Sequence, residues 1–305
     1  MSRSHGPAVP AAALTLLAGL VDYAGLFPPA TLPMDDAVRA FAAYRSGAHA
    51  WMLGRFICPA ARLGEFTAAA SPWLPSVDGP WRVSALLGPE VDRDLATIAA
   101  VNASHQGVLV DAAEARAGSV DDIRALARAA REALLALYVE VPVQDDPTPL
   151  VAAIHAAGLR AKIRTGGVTA DAFPTAATVA RFLGACVRHD VAFKATAGLH
   201  HPVRGDYRLT YDDASAHGTM FGFLNIVLAT AWLRDGVTDH DAVALLEERD
   251  PRAFDFADAG VRWRDHLFLR ARLEHLRNRA IIAVGSCSFT EPVHELAFVP
   301  GWITG

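Results

Sequence analysis

The run Arg160-Ala-Lys162-Ile-Arg164-Thr-Gly-Gly167, the stretch from Thr175 to Arg188, and the run Val191-Ala-Phe-Lys194-Ala-Thr196-Ala-Gly198 read together as strand, helix, strand. Alternation within the first run puts Lys162 and Arg164 on one face, opposite Ala161 and Ile163. In the second it puts Lys194 and Thr196 opposite Phe193 and Ala195. Parallel strands joined through helices form a sheet that helices cover. If that sheet closes into a barrel, apolar Ile163 and Phe193 belong under the helices and both lysines point inward.

Reading outward from this unit, the same pattern recurs along the whole chain. Candidate strands lie at 19–25, 49–58, 82–88, 107–112, 137–142, 160–165, 191–197 and 280–286. Helical periodicity falls between them at 34–46, 60–70, 90–102, 120–135, 147–157, 175–188, 213–234 and 262–279. Eight repeats predict an α/β fold, a (β/α)8 TIM barrel, as one domain over residues 1–305. An open doubly wound sheet is the competing arrangement, but no glycine-rich dinucleotide fingerprint follows the first strand. Local signals agree: Ser119 precedes Asp121 and Asp122 as a helix cap, Asp239 precedes a short helix at 242–249, and Gly158 ends the helix before strand six. His189-Asp190 give a weaker stop before strand seven, and Ser71 to Pro80, with its three prolines, reads as a loop.

Composition narrows the function classes. With 52% hydrophobic and 20% charged residues the chain is suited to a large buried core, and a net charge of −5 without a basic run excludes the footprint of a nucleic-acid binder. Cys58, Cys186 and Cys287 form neither a disulfide framework nor a CxxC pair, which predicts a reducing, cytoplasmic setting. The apolar stretch from Ala8 to Val21 is too short to span a bilayer. Arg3 ahead of it admits a signal peptide, whereas the simpler reading is a short helix, 11–17, closing the barrel bottom. A small-molecule substrate, no membrane partner and a homo-oligomer complete the expected associations.

Of 28 basic residues only Lys162 and Lys194 are lysines. Arginine is a fixed cation, whereas a desolvated lysine sheds its proton and attacks a carbonyl or relays a proton. Burial, Arg164 and the second lysine are all expected to disfavour the charged form. The plainer alternative is that each lysine is only the counter-ion of Glu140, Asp111 or Asp22 inside the barrel.

Here the strands resemble those of the deoxyribose-phosphate aldolase family, class I aldolases of (β/α)8 fold. Lys162-Ile-Arg-Thr-Gly166 is similar to that family's Schiff-base strand six, and Lys194-Ala-Thr-Ala-Gly198 to its strand seven. Looser matches are Leu20-Val-Asp22-Tyr-Ala-Gly-Leu26, Ile57-Cys58-Pro59 and the phosphate-binding turn Gly285-Ser-Cys-Ser288. The resemblance implies Lys162 as imine former, Lys194 as the neighbour lowering its pKa, and Asp111 on strand four as proton relay. It departs from the family at Arg164, which replaces a small residue, and at Leu199-His200-His201-Pro202-Val-Arg204.

Glu140, on the same face as Tyr138, is a candidate general acid or base beside Lys162. Asp22, Arg164, Thr196, His200, His201 and Arg204, with Gly285, Ser286 and Ser288, are candidate substrate-binding residues. Gly166-Gly167 and the 285–288 turn are candidate anion sites through their backbone amides. Arg55 and Ser84 are inward candidates without a role, and Cys287 is read as packing. The leading expectation is therefore an aldolase-like lyase acting without a cofactor on a small, anionic or phosphorylated carbonyl compound. A second is a metal-dependent lyase or hydrolase using His200, His201 and one of Asp206, Asp212 or Asp213, with His217 opening the next helix. The third is a non-catalytic barrel. The apolar tail 297–302 is expected to cover a neighbouring subunit or the barrel mouth.

Overall fold

A computed structural model describes residues 9–104 and 106–302. After helix α1 (Ala11–Leu17), strands and helices alternate: β1 (Val21–Tyr23), α2 (Met34–Arg45), β2 (Leu53–Pro59), α3 (Leu63–Ala70), β3 (Trp81–Leu86), α4 (Val91–Ala103), β4 (Val108–Arg116) and α5 (Val120–Ala129). They continue as β5 (Ala136–Glu140), α6 (Thr148–Ala156), β6 (Arg160–Arg164), α7 (Ala176–Arg188) and β7 (Phe193–Thr196). A hairpin follows, β8 (Gly205–Arg208) with β9 (His217–Met220), then α8 (Phe223–Arg234) and α9 (Asp239–Leu246). A small antiparallel sheet of β10 (Phe254–Phe256), β11 (Gly260–Trp263) and β12 (His266–Leu269) leads to α10 (Arg270–Arg279), β13 (Ile281–Ser286) and α11 (Thr290–Glu295). Strands β1 to β7 and β13 close into a parallel eight-stranded ring, with β1 paired to both β2 and β13. The fold is a (β/α)8 barrel.

The region between β7 and β13 departs from plain alternation. Residues 213–234, expected as one helix, first complete the hairpin, so His217 lies in β9 and not at a helix start. Residues 262–269, expected as the beginning of a helix, form strands, and helix begins only at Arg270. The cause is visible in the two-residue period: Val261, Trp263 and Phe268 are buried while Arg262 and Leu267 face outward, and Arg264 makes the turn with a positive φ of 49°.

Local signals elsewhere set the boundaries. Ser119 and Asp122 form a full capping box on α5, and Gly158 leaves α6 with φ at 67°. The cap of α9 is Thr238, one residue before the expected Asp239, which is itself the first helical residue. Helix α8 buries Phe223, Leu224, Ile226, Val227 and Leu228 because α7, α9, α10 and β12 pack around it. Of its two fully buried polar residues, Thr230 donates to the Ile226 carbonyl at 2.8 Å, and Asn225 accepts from the Arg204 amide at 2.8 Å and donates to the carbonyls of Leu245 and Glu248.

Tyr23, Phe41, Phe56, Phe66 and Trp81 interlock between the first three strands and their helices, with ring centroids 4.7–6.4 Å apart. Burying each such side chain contributes about 2 kcal/mol. Helix α1 has the expected bounds and packs on α10 and β11. The side chain that reaches the carbonyls of Ala18, Ile281 and Ile282, where β1 and β13 begin, is Arg277 of α10. Residues 297–302 do not line the cavity at the barrel mouth. Trp302 folds back on Trp51, His49 and Phe256, at the end where β2 begins. Among the described residues no helix is long and apolar enough to cross a membrane, and Arg3 of the leader reading lies outside them.

Candidate functional site

Register carries the inward residues of four adjacent strands into one row: Arg116 of β4 faces Glu140 of β5, Glu140 faces Lys162 of β6, and Lys162 faces Lys194 of β7. On the next strand the row meets Ala283, with Gly285 beside Thr196, and these small residues leave room for the lysine. Across the ring Asp22 enters from β1. Gly54 makes that possible, since a Cβ at this position would run into the Asp22 carboxylate.

Lys194 is 1% exposed and donates to Asp22 Oδ2 at 2.6 Å and to Glu114 Oε1 at 2.7 Å, with its ammonium 5.5 Å from the centre of the Tyr138 ring. Burial alone would lower its pKa, but Asp22 and Glu114 outweigh burial and hold it above the ordinary lysine range. The expectation that surroundings disfavour its charged form is thus corrected: the carboxylates lie closer than any competing cation. Asp22, expected to touch substrate, is itself sealed at 1% exposure, with its other oxygen accepting from the Arg55 amide at 2.7 Å. It is a wall group that fixes Lys194.

Lys162 Nζ forms ion pairs with Glu114 Oε2 at 2.7 Å and with Glu140 Oε2 at 2.9 Å. Glu114 therefore bridges both amines, and Ser84 donates to it at 2.8 Å. Burial works to raise the Glu114 pKa, but Lys194 and Lys162 overcome burial and hold it well below the usual carboxylate range. Unlike Lys194, Lys162 borders open space: with Glu114, Glu140, Arg116 and Arg164 it lines a cavity of about 850 Å³ between the ends of β3 to β6 and helices α4 and α5. That volume suits a small-molecule ligand.

Glu114 is the residue that sequence reasoning missed, and Asp111 is the one it misplaced. Strand β4 runs to Arg116, four residues beyond the expected end, and carries one extra residue: Val83 pairs with Val110, whereas Ser84 pairs with Ala112. Plain alternation would send residues 111 and 114 to opposite faces. The bulge at Asp111 lets both point inward at different depths. Asp111 does not meet the lysines. It accepts from Arg55 Nε at 2.6 Å and Arg82 Nε at 2.8 Å, and despite burial these two hold its pKa down. The inward position of Ser84 and Arg55 was legible; their partners were not.

The residues after β7 and β13 gather on themselves. His200, 6% exposed, places Nδ1 3.2 Å from Ser286 Oγ, 3.6 Å from Cys287 Sγ and 3.6 Å from Glu291 Oε2. Burial first, then His201, lowers its pKa to about 4. His201 pairs with Glu295 at 2.8 Å and stacks on Tyr207, and Arg204 lies over the Phe221 ring at 4.4 Å. Among the described residues, no group of three or more His, Cys, Asp or Glu is arranged to hold a metal ion. Ser286 Oγ accepts from the Ser288 amide and Ser288 Oγ from the Glu291 amide, so the expected anion turn spends its groups on its own loop. Gly285 is a packing glycine against Thr196. None of these residues, nor Thr196, lines the cavity over Lys162. The cavity instead brings in Arg93 and Arg116, which no sequence signal singled out. No protein-family model and no curated protein matches the chain.

Proposed function

We propose that the protein is an aldolase-like carbon–carbon lyase that acts on a small carbonyl compound through an imine on Lys162. The observation that carries this reading is the asymmetry of the two amines: Lys162 borders the cavity with Glu140 2.9 Å away, whereas Lys194 is sealed behind Glu114. The likeness of β6 and β7 to the deoxyribose-phosphate aldolase type points the same way.

The chemistry follows from charge balance. Lys162 passes a proton to Glu140, and the free amine adds to the substrate carbonyl carbon to give a carbinolamine. Glu140 returns the proton to the departing hydroxyl, water leaves, and the resulting iminium carries the same positive charge that Glu114 held on the ammonium. The carboxylates that pair the resting lysine therefore also stabilise the electron-poor state. Glu140 then takes the proton of the hydroxyl on the carbon beyond the bond to be broken, the electrons of that carbon–carbon bond flow into the iminium, and an aldehyde leaves as an enamine forms. Glu140 returns the same proton to the enamine carbon, and water hydrolyses the iminium to free Lys162. Lys194 stays a cation and keeps Glu114 ionised throughout.

Borohydride reduction in the presence of acetaldehyde or pyruvate, followed by peptide mass spectrometry, is the test. The expected outcome is an adduct on Lys162 that disappears in Lys162→Arg; an adduct on neither lysine removes the imine. A second reading, a non-catalytic barrel stitched by ion pairs, is favoured by the fact that both amines are already matched by carboxylates. It predicts no adduct and normal stability for Lys162→Arg.

A further inference from the structure

Arg164 stands two residues beyond Lys162 on the same inward face of β6, about 7 Å along the strand. It borders both the cavity over Lys162 and an adjoining one of about 740 Å³, and Arg116 and Glu140 are the other residues common to the two linings. Arg55 and Arg82 share Asp111 deeper in the barrel, and Arg116 uses Nε for Glu140 at 3.1 Å, whereas Arg93, on the helix side of the cavity, meets no carboxylate among the described residues and stands off the strand that carries Lys162. Arg164 has none among the described residues; its hydrogen bond goes to the Gly166 carbonyl at 3.5 Å. An inward guanidinium at the rim of a ligand-sized space, unmatched by a carboxylate, has its fork free for an incoming acid. Arg116 leaves its terminal nitrogens free beside it.

Resting on the imine reading for the carbonyl end of the substrate, we infer that Arg164, with Arg116, recognises an anionic group. The substrate class is then a short carbonyl compound whose carboxylate or phosphate lies a few bonds from the carbonyl carbon. The spacing of about 7 Å between Lys162 and Arg164 sets that length. Three further carboxylates line the same cavity, Glu90, Asp92 and Asp122. They sit at the first turns of α4 and α5, and Asp122 is held there by the amides of Gly118 and Ser119. The turn after β13 is the poorer anion site, because its hydroxyls are engaged and Glu291 stands beside it.

Two measurements on the intact protein test this together. In the first, oxalate and inorganic phosphate are titrated against wild type, Arg164→Gln and, as a control that lines neither cavity and pairs with Asp121, Arg124→Gln, with thermal midpoint as readout. The midpoint is expected to rise with at least one anion in wild type and Arg124→Gln, and not in Arg164→Gln. In the second, reductive trapping compares pyruvate, glycolaldehyde phosphate and acetaldehyde. The preference for an anionic carbonyl over acetaldehyde is expected to fall about tenfold or more in Arg164→Gln. Preference for pyruvate assigns the site to carboxylate, and preference for glycolaldehyde phosphate to phosphate. Anion stabilisation that needs Arg164 without any trapping defeats the imine and leaves the anion site standing. Wild type and Arg164→Gln alike in both measurements overturn the anion site, whatever happens at Lys162.

Discussion

At Glu114, two ammonium groups share one carboxylate at a position with 3% exposure. Removing its charge leaves each amine with a single carboxylate, Glu140 for Lys162 and Asp22 for Lys194, and breaking such a buried set costs about 3 kcal/mol or more. Glu114→Gln is therefore expected to lower the denaturant midpoint strongly and to change trapping at Lys162. Asp111→Asn is expected to weaken only the Arg55 and Arg82 layer and to leave trapping intact. Equal loss of trapping in both variants would contradict the separate depths assigned to these acids. The two lysines were legible because lysine is so rare in this chain, and their inward direction followed from Ile163 and Phe193. Glu114 was hidden because alternation carries no sign of an inserted residue: once the strand is ended at Ala112 and the acid at 111 is taken as the inward one, the acid at 114 drops out of view.

The seam between the loop after β7 and the turn after β13 is where pH is expected to act on an element of structure. His200 is kept neutral there, with a pKa of about 4 against an ordinary 6.5, chiefly by burial and secondarily by His201. The unfolded chain binds a proton below about pH 6.5 that the folded chain refuses, so this stability is complete above pH 6.5 and is lost as pH falls toward 4. At pH 5 the loss is about 2 kcal/mol. Glu291, whose pKa burial raises, works in the opposite sense at the acid end. Denaturation at pH 7 and pH 5 is expected to show a smaller drop for His200→Gln than for wild type; equal drops would mean that the imidazole is not held neutral. Sequence placed these histidines near one another but not their partners, because Glu291 and Glu295 are some ninety residues downstream and reach them only through closure of the ring.

Across the whole molecule, the eight-fold alternation of strand and helix was readable because apolar residues recur through each barrel strand, even between the charges of β6, and helical periodicity separates one strand from the next. The inserted hairpin and small sheet were not, since their amphipathic strands are short and abut real helices. The C-terminal tail shows how the distant ends of the chain are joined: Trp302, 6% exposed, packs on Trp51 and Phe256. Trp302→Ala is expected to cost about 3 kcal/mol in unfolding free energy while trapping at Lys162 at moderate temperature persists. Loss of trapping in a variant that still melts cooperatively would tie the tail to the site.

The chain of contacts from Glu140 through Lys162, Glu114 and Lys194 to Asp22 has no step longer than 2.9 Å. Its far end is closed to water, so no solvent molecule stands in for a partner that is drawn away there. Whatever draws Lys162 toward the opening thereby pulls on Glu114 and, through Lys194, on the opposite wall.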